Sequence, residues 1–431
     1  MMTTETLIER LPRDQRAREF FLARQPILDR HQDLVGYELL FRRAAVGPAN
    51  VVNDLAATAT VIEHAAALGL ENVIGDALAF VNVDEAMLMA DIVHFLPADR
   101  VVLEILETVE SSDALIRRVA ELAAMGYAFA LDDVITHAEH LAGLLPYVAL
   151  IKIDLTGVPG SEIAGLAGRF RAAGKALLAE KVETIEQFET CLALGFSYFQ
   201  GFYFAQPNIL SGNKLAPSQI TLMHLVSLIG GGASSEHIER VIKQDASLGL
   251  MLLRLVNAAG AGGTDRITSL GQALTRLGRR QLQRWVQILL YAHPGKDRRV
   301  ASPLLALATT RGKLMELITE QLHPGRRVMA DTAFTVGIMS LMDTLFAQPM
   351  ATLLAQSVVP DDVRQALLAR TGFLGDLLTL AESIERVDEH GDTAPQILRR
   401  LCMAPEELSS LQLEAFEWSN QLSGSARAQM R

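Results

Sequence analysis

VVLEILETVESSDALIRRVAELAAMGYAFALDDV (101–134) reads as strand, helix, strand. VVLEILE (101–107) and YAFALDDV (127–134) are short runs dense in β-branched, aliphatic and aromatic residues. Between them DALIRRVAELAAMG (113–126) is amphipathic with helical spacing and closes on a glycine. A strand, a crossover helix and a second strand form the unit that builds parallel sheets.

The same alternation extends on both sides. Upstream lie FFLARQPILD (20–29), VGYELLFR (35–42) and ALAFVNVD (77–84); downstream lie VALIKIDL (148–155), ALLAEKV (176–182) and FSYFQGFYF (196–204). Eight β-runs within about 200 residues predict parallel βαβ units closing into a (β/α)8 TIM-like barrel. Beyond residue 210 the strand series stops. SQITLMHLVSLI, EHIERVIKQ, ASLGLMLLRLVNAA, ITSLGQALTRLG and DTAFTVGIMSLMDTLF read as helices, with Leu248, Leu252 and Leu255 on one apolar face. The fold class is therefore α/β plus all-α: a barrel followed by an all-helical domain. Turn formers from Gln206-Pro207-Asn208 to Ala216-Pro217-Ser218 mark the join. The expected division is an N-terminal extension (1–19), a barrel (20–210) and a helical domain (211–431).

The chain has 431 residues and a net charge of −11, with 50% hydrophobic residues, which excludes disorder as its dominant state. The first 210 residues carry 16 basic and 29 acidic side chains, and the remainder 23 and 21, so the acidity sits in the barrel. That balance argues against a general nucleic-acid binder, which needs excess Lys and Arg. Cys191 and Cys402 lie in no CxxC, which excludes a zinc ribbon and a disulfide scaffold and predicts two reduced, mostly buried thiols. The N-terminus mixes acids and bases without an apolar core segment, and the longest uncharged run, Thr190–Asn213, carries Gln200, Gln206, Pro207 and Asn208. No membrane association and a cytoplasmic location are expected.

Barrel strands aim their C-terminal ends at one mouth. At those ends stand Glu38, Asn82, Glu104, Asp132 with Asp133, Lys152 with Asp154, Glu180 with Glu183, and Gln200. Apolar residues flank each, as in Leu103-Glu104-Ile105, and a charge there is costly unless it is paired or binds a metal. Carboxylates with an amide oxygen suit Mg²⁺ or Mn²⁺. Two such ions can activate water and stabilise the leaving oxygen of a phosphodiester, with Lys152 orienting the water or neutralising charge.

These motifs resemble the EAL domain, the cyclic-di-GMP phosphodiesterase barrel. The match runs in order through GYELLFR (36–42), FVNVDEAML (80–88), LEILE (103–107), LDD (131–133), IKID (151–154), AEKVET (179–184) and FQGFYFAQP (199–207). The resemblance implies one metal held by Glu38, Asn82, Glu104 and Asp132, and a second held with help from Asp133 and Glu180. It implies catalytic roles for Lys152, Gln200 and Glu183, and dinucleotide contacts by Gln25 and Arg42. Three departures stand out. Glu-Ala-Leu reads Glu38-Leu39-Leu40; the glycine-rich loop after Asp132-Asp133 reads Val134-Ile135-Thr136-His137-Ala138-Glu139-His140; and Lys181 replaces a glycine. That loop carries the family's dimer contact. Residues 245–278 and 331–346 resemble the HDOD domain, a relative of HD-type phosphohydrolases. No His-Asp dipeptide occurs, and Gly337-Ile338-Met339-Ser340-Leu341 stands where one would fall, so no HDOD catalytic residues or cofactor are expected.

Three functions follow from this resemblance: a cyclic-di-GMP-linked signalling protein whose barrel is weakly active or inactive and whose HDOD domain contacts protein partners; an active metal-dependent phosphodiesterase; and a non-hydrolysing receptor for the dinucleotide. The departures favour the first. Other features have plainer readings. Gly230–Gly232 with Ser234 is a helix stop and N-cap; Arg276, Arg279, Arg280 and Arg284 form a solvated helix face; His137 and His140 are surface-loop residues; Trp285 and Trp418 pack the helical half.

Overall fold

A computed structural model describes residues 20–43, 70–134, 142–205, 217–244, 248–249, 252, 256, 267, 269–292, 303–355, 359–386 and 393–429. Strands β1 (Phe20–Asp29), β2 (Leu34–Arg43), β3 (Leu78–Val83), β4 (Val101–Ile105), β5 (Ala128–Leu131), β6 (Leu150–Asp154), β7 (Ala176–Glu180) and β8 (Tyr198–Gln200) close into a barrel in sequence order. From β2 to β8 every pairing is parallel. β1 differs from the expected parallel series, running antiparallel to both β2 and β8. The cause is local. Asp29 Oδ1 accepts hydrogen bonds from the His31 N–H at 2.8 Å and the Asp33 N–H at 2.9 Å, and Gln32 takes φ 61°, so the chain reverses in a hairpin.

Helices α1 (Leu70–Ile74), α2 (Glu85–Met89), α3 (Asp113–Ala124), α4 (Gly160–Ala172) and α5 (Ile185–Leu194) lie between strands. Their starts are chemically marked: Asp84 caps α2, Ser112 caps α3, and Thr184 with Gln187 forms a capping box on α5. Leu115, Val119 and Leu122 are the buried stripe of α3.

The helical half contains α6 (Pro217–Gly230), α7 (Ser235–Lys243), α8 (Leu270–Ala292), α9 (Pro303–Leu322), α10 (Arg327–Met339), α11 (Met342–Phe346), α12 (Met350–Ala355) and α13 (Asp361–Ala369). α8 bends at Gly278 (φ 69°). α9 and α10 cross where a Cβ on Gly337 would stand 2.6 Å from the Gly312 Cα. Ser234 caps α7 as expected. Leu248 and Leu252 are buried, while Leu255 lies outside the described residues. On α8, Arg276, Arg279 and Arg280 are exposed, as expected of a solvated face, while Arg284 is half-buried, and three of the four are tied to neighbouring groups. Arg284 pairs with the buried Glu316, Arg280 reaches Asp331 at 2.6 Å, and Arg279 donates to the Ile229 and Ala233 carbonyls.

The chain ends in α14 (Gly372–Glu385), α15 (Thr393–Leu401) and α16 (Pro405–Gln429). By its contacts the chain forms two units, 1–206 with 299–303 and 379–431, and 207–298 with 304–378. The segment 379–431, expected to belong with the helical half, therefore packs on the barrel. Gln412 Nε2 donates to the Leu22 carbonyl at 3.0 Å and Asn420 Nδ2 to the Asn72 carbonyl at 2.9 Å. The Arg24 guanidinium lies 4.4 Å from the Tyr37 ring centre and 3.9 Å from that of Phe416. Trp418, on α16, thus belongs to the barrel unit rather than the helical half. Cys191 is buried, and burial pushes its thiol up to about 11. Cys402, expected to be buried, is exposed at φ 52° in the turn between α15 and α16.

Candidate metal centre at the barrel mouth

Side chains on a strand alternate between faces, so residues two apart share one. Ile27, Phe80, Val102, Ala130, Leu150 and Leu178 form an apolar layer, with Tyr198 packed against it. Two residues further toward the mouth on each strand stand Gln25, Asn82, Glu104, Asp132, Lys152, Glu180 and Gln200. On β2, Glu38 joins this tier beside Gln25. Gly36, two before it, has no side chain because a Cβ would meet the Phe80 ring at 2.6 Å. Apart from β2, where the Phe80 ring takes the space beside Gly36, each strand thus spends one inward position on the apolar layer and the next on a polar group.

Lys152 is the hub, with no exposed surface. Its Nζ lies 2.6 Å from Asp132 Oδ1, 2.8 Å from Glu104 Oε1, 2.9 Å from Glu180 Oε1 and 3.4 Å from Glu38 Oε2. Glu38 is further held by Asn82 Nδ2 at 3.0 Å and Gln200 Nε2 at 2.6 Å. Gln200 Nε2 also donates to Gln25 Oε1 at 2.6 Å.

Four carboxylates around one ammonium leave an excess of negative charge. Burial, reinforced by the neighbouring carboxylates, pushes Glu104 and Glu180 well above the usual range and raises Asp132, with Lys152 opposing. Burial also raises Asp133, helped by Asp154 and Glu107. Glu38 goes the other way: Lys152 and the amides of Gln200 and Asn82 outweigh burial and hold it low. Burial would lower Lys152, but the four carboxylates together hold it well above its ordinary value.

Several buried acceptors, Asn82 Oδ1, Glu104 Oε2, Glu180 Oε2 and Gln200 Oε1, accept no hydrogen bond from the described residues. Asp132, Asp133 and Glu180 each place a carboxylate oxygen within 4.8 Å of the others. Orphaned oxygens, excess negative charge and an all-oxygen donor set fit a hard divalent cation.

Lys181 takes φ 54°, and its Nζ donates to Asp154 Oδ2 at 2.8 Å, with the side chain 46% exposed. It points at Asp154 rather than into the set around Lys152. Asp133 shares the left-handed conformation (φ 48°). At β8, a Cβ on Gly201 (φ 144°) would meet the Val182 carbonyl at 2.1 Å, so only glycine lets β8 close against the turn after β7.

The mouth is a cavity of about 470 Å³ bounded by Gln25, Glu38, Asn82, Asp132, Asp133 and Glu180 among others. Glu183 stands exposed on its rim, its backbone N–H bonded to Gln187 Oε1. The Arg42 side chain and residues 135–140, including His137 and His140, lie outside the described residues. Phe202 and Arg386 also line the cavity, and neither was read as a site residue. Phe202 sits inside the FQGFYFAQP motif (199–207), in which the strand-end pattern marks only Gln200. Arg386 is separated from the barrel strands by the whole helical half, so nothing in the sequence pattern connects it to the mouth.

The EAL domain family model matches residues 8–207, and the HDOD domain model matches residues 222–365. Cyclic di-GMP phosphodiesterase CdgJ of Vibrio cholerae is 30% identical over 407 residues, covering 93% of each chain. The chain belongs to the EAL–HDOD family. YuxH of Bacillus subtilis is also 30% identical, over 411 residues, covering 93% of this chain and 98% of that one. Klebsiella pneumoniae BlrP1, solved with calcium and cyclic di-GMP, is 22% identical, covers 44% of this chain and 56% of its own, and gives a TM-score of 0.35. The EAL match covers all eight strands, and residues 366–431 lie beyond the HDOD match. Among the described residues, no helix is long and apolar enough to cross a membrane.

Proposed function

We propose that the EAL barrel is a metal-dependent phosphodiesterase that opens cyclic di-GMP to the linear dinucleotide. The observation that carries this reading is the buried tier of strand-end oxygens: four carboxylates share one ammonium while several acceptors stay unsatisfied. The full-length likeness to a cyclic di-GMP phosphodiesterase supports it.

In this reading Glu38, Asn82, Glu104 and Asp132 hold one Mg²⁺ or Mn²⁺, and Asp132, Asp133 and Glu180 hold a second. Bound there, the ions supply an acidic water and charge for the leaving oxygen. Lys152 keeps the carboxylates apart and offers positive charge to the phosphate as negative charge builds during attack. Gln200 and Asn82 fix Glu38 in one orientation by donating to its two oxygens. The water gives up a proton as its oxygen bonds to phosphorus, the bond from phosphorus to one ribose oxygen breaks, and that oxygen takes up a proton. This leaves a phosphomonoester and a free ribose hydroxyl, with no net change in protons beyond the ionisation of the new monoester.

A second reading, a barrel of weak turnover serving mainly as a signalling module, draws on Lys181. Its ammonium sits on Asp154, close enough to Asp133 to lower its proton affinity, and so adds a fixed positive charge beside the second cation position. The HDOD unit in either case acts by contacting protein partners rather than by hydrolysis. In the stretch where an HD pair would stand, Ser340 Oγ accepts from Arg311 Nη1 at 2.6 Å and donates to the Gly337 carbonyl at 2.7 Å.

Incubation of the full chain with cyclic di-GMP and Mn²⁺ or Mg²⁺, following the linear product, tests the reading. Turnover is expected with either ion, with loss of at least a hundredfold in Glu38→Ala. Absence of product with both ions would sink it, and Lys181→Gly turning over at least tenfold faster than the native chain would establish the attenuating role of Lys181.

A further inference from the structure

We propose that Arg386 is a nucleotide-contacting residue of the barrel mouth, supplied by a C-terminal segment that lies outside both family matches. The proposal rests on the dinucleotide reading above and adds a binding group to it.

Arg386 directly follows α14, in the part of the chain that packs with the barrel. Its guanidinium lies 5.4 Å from the centre of the Phe202 ring, and both side chains line the cavity that opens onto the carboxylate tier. Leu40 and Thr156 continue that rim. The floor of the cavity is strongly anionic. A phosphodiester anion approaching it needs positive charge at the entrance as well as at the metals. The described lining residues include two cationic side chains, Lys181, which bonds Asp154, and Arg386, which is exposed beside Phe202 at the mouth.

The pair Phe202–Arg386 has the chemistry of a purine nucleotide clamp. An aromatic face accepts a stacked base. A guanidinium offers parallel donors that match either two phosphate oxygens or the O6 and N7 of guanine. Lys cannot reproduce that fork. The EAL barrel on this account does not own its whole substrate site. The residues after the HDOD domain complete it, so a change that displaces residue 386 alters the dinucleotide's grip without touching a metal ligand.

Calorimetric binding of cyclic di-GMP to the full chain in Ca²⁺, the cation of the BlrP1 complex, tests this directly. Arg386→Ala should weaken binding by about ten- to a hundredfold, the loss of a charge-assisted bidentate contact. Arg386→Lys should fall between, and Phe202→Leu should also weaken binding. Both Arg386 variants should melt like the native chain, since the side chain is exposed. Cyclic di-AMP separates the two acceptors. A loss confined to the guanine ligand places Arg386 on the base edge, and an equal loss for both places it on phosphate. If the native chain binds and Arg386→Ala binds equally well, the inference is wrong while the dinucleotide reading stands. If the native chain does not bind, both fall.

Discussion

Replacing Lys152 by Met removes one charge and almost no volume, which makes it a sharp probe of the carboxylate tier. In the native chain the ammonium has no exposed surface and lies within 2.6–3.4 Å of four carboxylates, so solvent screening does not discount it. Removing one partner of a buried ionic set costs about 3–5 kcal/mol, because the others remain without compensation. At about 2–4 °C per kcal/mol for a unit of this size, the metal-free barrel should melt about 6–20 °C lower at pH 8. Thermal unfolding in chelator reads this. Manganese should then narrow the gap, because a divalent cation takes over the lost positive charge without competition from the ammonium. At a hundred times its Kd it adds about 2.7 kcal/mol. The expected pair of results is a lower melting point in chelator and a larger Mn²⁺-induced rise than the native chain shows. A variant melting within 2 °C of native in chelator, or one stabilised less by Mn²⁺, would refute the reasoning.

The raised carboxylates make further predictions. Glu104 and Glu180 are held above their unfolded values, so the stability they contribute is complete below about pH 4.5 and is lost as pH rises through their folded values. Glu104→Gln should therefore raise the metal-free melting point above neutral pH by roughly 2–8 °C, for about 1–2 kcal/mol, and abolish most of the Mn²⁺-induced rise. Because those groups must release protons to bind a cation, calorimetric Mn²⁺ affinity should fall as pH falls from 8 to 5.5, with proton release that depends on buffer ionisation heat. In the HDOD unit, Gly337→Ala forces a methyl against the Gly312 backbone and should cost about 1–3 kcal/mol by denaturant unfolding, without changing Mn²⁺ binding.

Much of the site was legible because strand alternation is strict. Once ALAFVNVD, VVLEILE and VALIKIDL are read as strands, Asn82, Glu104 and Lys152 fall on one face by period alone, and the structure brings them together at the mouth. The direction of β1 was not legible, since the hairpin depends on Asp29 accepting from two backbone N–H groups and on Gln32 adopting a left-handed φ, neither of which a hydrophobic pattern encodes. The aim of Lys181 was open from sequence and is settled by its bond to Asp154. The placement of 379–431 on the barrel, and with it Arg386, is a long-range packing event. Gln412, Phe416 and Asn420 look like ordinary helix residues until Leu22, Arg24 and Asn72 are seen beneath them.

The central claim is that the strand-end oxygens hold divalent cations for phosphodiester hydrolysis. Anomalous scattering from crystals of the full chain grown in Mn²⁺ tests it most directly. The account predicts manganese peaks among Glu38, Asn82, Glu104 and Asp132 and between Asp132, Asp133 and Glu180. Saturating Mn²⁺ with no peak at the barrel mouth, and Lys152 still bridging all four carboxylates, would contradict it.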